Sequence, residues 1–181
     1  VSAALANRIE FEPMRAEHLP LFAGWIEKPH VRPWWGDPAE EVGKVRDMIE
    51  GRDSTRPYVL RLDGEPIGYI QVWFPDDWRD EETVAENPWV ALLPKGCAGV
   101  DICIGEEALI GQGVGSTAVR KFTTRLSAEG FDFLIIDPDP RNERAVRAYR
   151  KAGYRTFPGL VDPTGDVLLL KFDPQAVKDR T

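Results

Sequence analysis

Histidine and cysteine are scarce in this chain, with two of each. Cys97 and Cys103 lie close together in one segment, unlike the framework of a disulfide-stapled fold. With only His18 and His30 to add, the donors for a zinc site are too few, and no metal is expected. No apolar run approaches the roughly 20 residues that a membrane-spanning helix needs. Residues 1–7 show no basic segment followed by a long apolar one, so no secretory signal is visible and a cytoplasmic location is the default expectation. Positive charge is also in short supply. Thirty acids against 23 Lys and Arg leave a net charge of −7, which argues against a nucleic-acid partner, because binding to a phosphate backbone needs a basic surface. The same balance is compatible with a cationic small molecule.

What is present reads as a single α/β domain over residues 1–181, without internal repeats or linkers. Its 43% hydrophobic and 29% charged content is that of a globular protein long enough to bury a core. Ile9–Met14 alternates as a first strand, and residues 16–26 carry Leu19, Phe22, Trp25 and Ile26 at helical spacing. Asp37-Pro38 is an N-cap followed by proline at the first helical position; the helix behind it places Val42, Val45, Met48 and Ile49 on one face. Tyr58–Leu62 and Ile67–Phe74 are strands joined by an Asp63-Gly64 hairpin turn. Pro75–Pro94 is acidic, aromatic and without periodicity, which predicts a loop. Val100–Ile104 alternates, with Val100, Ile102 and Ile104 on one face and Asp101 and Cys103 on the other. A helix from about Gly113 buries Val114, Ala118, Phe122 and Leu126. Phe133–Ile136 is apolar on both faces, Asn142–Ala152 is a helix closed by Gly153, and Tyr154–Phe157 and Val167–Phe172 are the last strands.

The chemistry concentrates between Asp101 and Tyr154. Gly111-Gln112-Gly113-Val114-Gly115-Ser116 connects an apolar strand to an amphipathic helix. A glycine turn at a helix start aims several backbone N–H groups at one point, and the helix dipole adds partial positive charge there, which suits a pyrophosphate. The turn is no P-loop, since Val114 precedes Gly115-Ser116 where that motif requires Gly-Lys-Ser/Thr. Nor is it a dinucleotide fingerprint, which opens a βαβ unit, whereas this turn follows an antiparallel hairpin.

Ile110 through Gly115 resembles the acyl-CoA turn of the GNAT superfamily of N-acetyltransferases, Arg/Gln-x-x-Gly-x-Gly/Ala. Ile110 departs from the first position, which bears on one side-chain contact and not on the amide cradle. Asn142 through Tyr154 resembles the superfamily's Asn-x-x-Ala-x-x-x-Tyr-x-x-x-Gly-Phe/Tyr helix. The resemblance implies a mixed, mostly antiparallel sheet of six to seven strands, splayed in the middle and flanked by about four helices, with acetyl-CoA as cosubstrate. It implies that amides of Gln112, Gly113, Val114, Gly115 and Ser116 hold the pyrophosphate, that main-chain groups of Ile102 and Ile104 pair with the pantetheine arm as with an added strand, and that Asn142 contacts the pantetheine or thioester. Arg144, on the basic face shared with Arg147, Arg150 and Lys151, meets the 3′-phosphate or is solvated. Tyr149 is the acid that protonates the departing sulfur, or a core tyrosine.

Amine acetylation needs a base, donors for the oxyanion and an acid. Asp101, in the strand beside the thioester, is the base candidate or else a charge on a solvated strand face, and a strand N–H near Ile102 is the oxyanion donor. Trp34-Trp35-Gly36, Gly64 through Tyr69, Gly99-Val100-Asp101, Gly111 through Gly115, Asp137-Pro138 and Asn142 through Tyr154 together resemble the aminoglycoside 6′-N-acetyltransferases. That resemblance makes Asp101 the base and an acceptor ligand, Tyr149 the acid and Asp137 an acceptor ligand; Asp137 is equally placed for an Asx turn before proline. The acids Asp76, Asp77, Asp80, Glu81, Glu82 and Glu86 face one base, Arg79, with Trp78 among them and Trp89 beyond. An acidic loop with aromatic platforms suits a cationic aminosugar, and Asp77, Trp78 and Glu81 are its candidate ligands. Trp34 is a candidate for the acceptor wall, with either Trp34 or Trp35 serving the core instead.

The segment from Trp25 to Trp35 is also similar to siderophore-type acyltransferases, in which His30 would read or deprotonate an N-hydroxylated lysine chain, and an acetyltransferase of another small polyamine is the companion alternative. A third reading is a CoA-binding module without turnover. The expected partner is a small-molecule amine, with the protein a monomer or homodimer.

Overall fold

The computed structural model describes residues 3–178; residues 1–2 and 179–181 of the expected domain, including the start of the segment inspected for a leader, lie outside the described residues. In chain order the elements are α1 (Ala3–Arg8), β1 (Ile9–Pro13), α2 (Leu19–Ile26), α3 (Pro38–Ile49), β2 (Arg56–Leu62), β3 (Glu65–Trp73), α4 (Glu81–Glu86), β4 (Ala98–Ile104), α5 (Val114–Ala128), β5 (Leu134–Ile136), α6 (Glu143–Ala152), β6 (Tyr154–Arg155), β7 (Leu170–Phe172) and α7 (Gln175–Lys178). The seven strands form one mixed sheet in the order β1-β2-β3-β4-β5-β7-β6. Four of the described helices, α2, α3, α5 and α6, have eight residues or more; these are the four that the sequence pattern predicts.

The described chain divides into two compact units. The first comprises the residues up to Val72 and Asp101–Ala118. Its β1 and β2 pair antiparallel from Ile9↔Leu62 to Pro13↔Tyr58. The turn to β3 has Asp63 at φ 53° and Gly64 at φ 83°, the left-handed pair that a two-residue hairpin requires. Leu60 pairs with Gly68 but Arg61 with Pro66, so Ile67 is an extra residue in β3. This bulge changes which face follows: Ile67 packs with Ile9, Leu60, Val114 and Ala118, whereas Tyr69 packs with Phe22, Trp25, Ile26, Val45, Val59 and Cys103. A side chain at Gly68 would strike the Cys103 carbonyl, 2.2 Å from an ideal Cβ. At the start of α3, Asp37 accepts hydrogen bonds from Ala39 N and Glu40 N, the anticipated cap.

The second unit comprises Trp73–Val100 and the residues from Val119 onward. Ala98 and Gly99 of β4 pair parallel with Leu134 and Ile135 of β5, and all of β5 is buried. β7 runs antiparallel to both β5 and β6. The core collects Trp73, Trp89, Val90, Leu93, Cys97, Ile135, Leu160 and Leu169. An ideal Cβ on Gly99 would lie 2.1 Å from the Trp73 indole, so only glycine fits beneath that ring.

Three expectations are corrected. The Pro75–Pro94 segment is largely helical: single 3-10 turns at Pro75–Trp78 and Pro88–Leu92 flank α4. Helices this short leave no room for hydrophobic periodicity, but the Asp80 cap on Thr83 N was legible as a local signal. Trp89 is a core residue packed edge-on against Trp73 at 6.1 Å, and not an exposed platform. The last two strands are shorter than predicted. Asp162 draws the amides of Thr164, Asp166 and Val167 onto its carboxylate, and Leu168 N donates to the Pro138 carbonyl, so the chain joins the sheet only at Leu170.

Candidate active site

In the first unit the glycine turn adopts the shape that the sequence implies. Gly111 and Gly113 have φ of 81° and 83°, a region that side-chain-bearing residues rarely adopt. Gly113 precedes α5, and its carbonyl accepts from Thr117 N at 3.0 Å, Ser116 Oγ at 3.0 Å and Thr117 Oγ1 at 2.8 Å. These three donors hold the carbonyl along the helix axis, so the amides at the helix start face away from it. The first N–H groups of a helix have no partner within it. Among the described residues, no carbonyl accepts from Gly113 N, Val114 N, Gly115 N or Ser116 N, whereas Gln112 N makes a long 3.4 Å bond to Leu109 O. Four of the five expected amides are therefore available to an anion, and the fifth is only weakly engaged. Val114 and Ala118 anchor the turn against the face of β4 that carries Ile102 and Ile104.

Asp101 and Cys103 lie on the opposite face of β4. Asp101 Oδ2 accepts from Gln71 Nε2 at 2.7 Å, and Gln71 Oε1 accepts from the Tyr69 hydroxyl at 2.5 Å. Asp101 is half-buried, and the surrounding protein desolvates its carboxylate. This desolvation pushes its pKa up to about 6 against the Gln71 hydrogen bond, which lowers it, and with a further push from the Glu41 charge. A carboxylate titrating there is ionised at neutral pH yet basic enough to take a proton. Burial raises the Cys103 thiol to about 12, leaving it inert. Sequence reading missed Gln71, Tyr69 and Glu41 as site residues; the available signal was Gln71 as a polar residue inside an otherwise apolar strand.

Aromatic residues pack against Tyr69. Trp35 belongs to the core, edge-on to Phe22 at 6.2 Å and to Tyr69 at 5.6 Å. Trp34 is 39% exposed, so of the two tryptophans Trp35 is the one packed against the core. His30 Nε2–H donates to the Ile104 carbonyl at 2.9 Å. The imidazole thereby braces the end of β4, and one lone pair of the Ile104 carbonyl is already engaged.

In the second unit Asn142 caps α6, its Oδ1 accepting from Ala145 N at 3.1 Å; the cap does not use its amide nitrogen. Gly153 closes the helix at φ 115°. Tyr149 stands on the buried stripe of α6 with Val146 and Ala152, while Arg144, Arg147, Arg150 and Lys151 are exposed. Asp137 directly follows β5 and is partly buried. Among the six acids between Asp76 and Glu86, Asp76 and Asp80 hold the backbone. Asp76 binds Gly96 N at 2.7 Å and Arg79 Nε at 2.9 Å, and Asp80 caps α4. Arg79 also donates to the carbonyls of Val90 and Leu93, fastening the segment. Asp77, Trp78 and Glu81 remain exposed.

Among the described residues, no helix is long and apolar enough to cross a membrane, and no group of three or more His, Cys, Asp or Glu is placed to hold a metal ion. Residues 15–160 match the family model of the Acetyltransferase (GNAT) domain. The aminoglycoside N(6′)-acetyltransferase type 1 of Klebsiella pneumoniae is 29% identical over 175 residues, 90% of this chain and 82% of that protein. A crystal structure of aminoglycoside acetyltransferase AAC(6′)-Ib with coenzyme A and kanamycin aligns at a TM-score of 0.77 and 25% identity, over 96% of this chain and 99% of that one. Its complex with ribostamycin and coenzyme A aligns at 0.76 and 26% identity, over 94% and 96%. With four unengaged amides at a glycine-bounded helix start and a family match that spans both units, the chain belongs to the GNAT acetyltransferases.

Proposed function

We propose that this acetyltransferase, acting as one domain, moves the acetyl group of acetyl-CoA onto a primary amine of a cationic aminosugar, in the manner of the aminoglycoside 6′-N-acetyltransferases it resembles. The observation that carries the reading is the row of unengaged amides from Gly113 to Ser116. Helix starts bind phosphate in this way, and the relatives with solved structures hold coenzyme A.

In this reading the amides of Gln112 through Ser116 hold the pyrophosphate. Main-chain groups of Ile102 and Ile104 align the pantetheine, the amide nitrogen of Asn142 supports it, and Arg144 meets the 3′-phosphate. Asp101 takes the proton of the acceptor ammonium, directly or through one water, so that a neutral amine attacks the acetyl carbonyl. A strand N–H near Ile102 meets the charge that develops on the oxygen. As the carbon–sulfur bond breaks, the Tyr149 hydroxyl gives its proton to the sulfur, and the attacking nitrogen sheds its extra proton to restore the phenol through water. Asp101 returns its proton to solvent, so the products are the amide, the free thiol and one proton. Trp34, Asp77, Trp78, Glu81 and Asp137 hold the polycation. The His30 bond to Ile104 favours this reading over N-hydroxylysine acylation, because that imidazole is already committed to the strand.

Thiol release from acetyl-CoA across aminoglycosides, linear polyamines, N-hydroxylysine and peptide amines tests the proposal. The expected outcome is turnover with aminoglycosides that carry a free 6′-amine and none with analogues bearing a 6′-hydroxyl. Preference for N-hydroxylysine, or binding of CoA without thiol release on any amine, would overturn it.

A further inference from the structure

Two side chains of β3 form a hydrogen-bonded line that ends on Asp101. We propose that Gln71 is a positioning residue that holds Asp101 in its ionised, proton-accepting form, and that the buried Tyr69 hydroxyl locks the Gln71 amide in the orientation this requires. The inference rests on the reading of Asp101 as the base.

The direction of the chain follows from what each group can do. An ionised carboxylate only accepts hydrogen bonds, so the Gln71 group 2.7 Å from Asp101 Oδ2 must be its NH₂ end. The carbonyl end then faces Tyr69, 2.5 Å away, and the phenol donates to it. Tyr69 has no exposed surface, and its ring is wedged between Phe22 at 4.6 Å and Trp35 at 5.6 Å, so the donor is fixed by packing. The bulge at Ile67 turns Tyr69 and Gln71 onto the face of Asp101 and Cys103. Without it, both side chains would sit on the other side of the strand.

The groups that bear on this cluster are Glu41 of α3, itself paired with Lys44 at 2.7 Å, Asp53 before β2, and Cys103 on β4. Burial and Glu41 push Asp101 toward its neutral form, and the Gln71 N–H opposes them. Tyr69 cannot take over as the proton acceptor, because its own ionisation is driven far above the ordinary range by burial and by the Asp101 charge.

The test is the pH dependence of kcat/KM in the intact enzyme for Gln71→Met, which keeps the volume and removes the donor, and for Tyr69→Phe, which keeps the ring and removes the lock. For the wild type the rate should rise with pH around 6. Gln71→Met should move that rise upward by about one pH unit, with the high-pH plateau kept within a few-fold. Tyr69→Phe should move it in the same direction by less. A wild-type rise that Asp101→Asn abolishes but that stays in place in both β3 variants would overturn this proposal alone. A rise that persists in Asp101→Asn would remove the base assignment and this proposal with it.

Discussion

At the scale of single residues, the proposed chemistry leans most on Asp101. Burial raises its pKa to about 6, and a base works only when deprotonated. The reaction should therefore slow as pH falls through that value and level off above it. Asp101→Asn should lower kcat/KM by roughly 10²–10⁴-fold, the usual span for a lost general base, and flatten the acidic side of the profile. Steady-state kinetics over a pH series checks this; a variant with an unaltered profile would exclude Asp101 as the base. The place of Asp101 on β4 was legible because an acid stands in an alternating strand just before the glycine turn. The partners that tune it were not legible. Gln71 reaches it across strands, on a face fixed by a bulge that leaves no local mark in the sequence, and Glu41 acts from a helix 60 positions away.

At the scale of elements, α6 shows how one motif serves two ends. Asn142 caps the helix through Oδ1 while its amide nitrogen remains for the proposed pantetheine contact. Asn142→Ala should cost about 1 kcal/mol of stability, a fall in Tm of roughly 2–4 °C for a chain of this size. Asn142→Asp keeps the cap and should restore the Tm, yet both variants should weaken acetyl-CoA binding. Thermal unfolding together with calorimetric titration separates the two roles: an affinity that survives both changes would leave Asn142 a cap alone. The long elements were readable, since α3 and α6 carry caps and α3, α5 and α6 carry apolar stripes within their own sequence. The Pro75–Pro94 segment was not, because its turns are too short for a period to appear and are held by Arg79 contacts to distant carbonyls. The end strands were overextended for a related reason: their apolar residues alternate correctly, but Asp162 captures the backbone amides that a ladder would need.

At the scale of the whole molecule, each compact unit is assembled from two separate stretches of chain, and the family model spans both. The chain order of β1 to β4, the glycine turn, β5 and α6 is what made the family readable, since neither motif alone distinguishes an acyl-CoA turn from any other glycine-rich helix start. The net charge of −7 accords with a cationic acceptor without specifying it; the residues proposed to hold that acceptor are scattered along the sequence and share no spacing. The central claim is that the helix start from Gly113 to Ser116 grips the diphosphate of acetyl-CoA. Amide-resolved NMR of the protein titrated with acetyl-CoA tests it most directly. The N–H resonances of Gly113, Val114, Gly115 and Ser116 should shift furthest and become protected from exchange with solvent as the ligand saturates. Saturable acetyl-CoA binding that leaves these four resonances and their exchange rates unchanged would contradict the account.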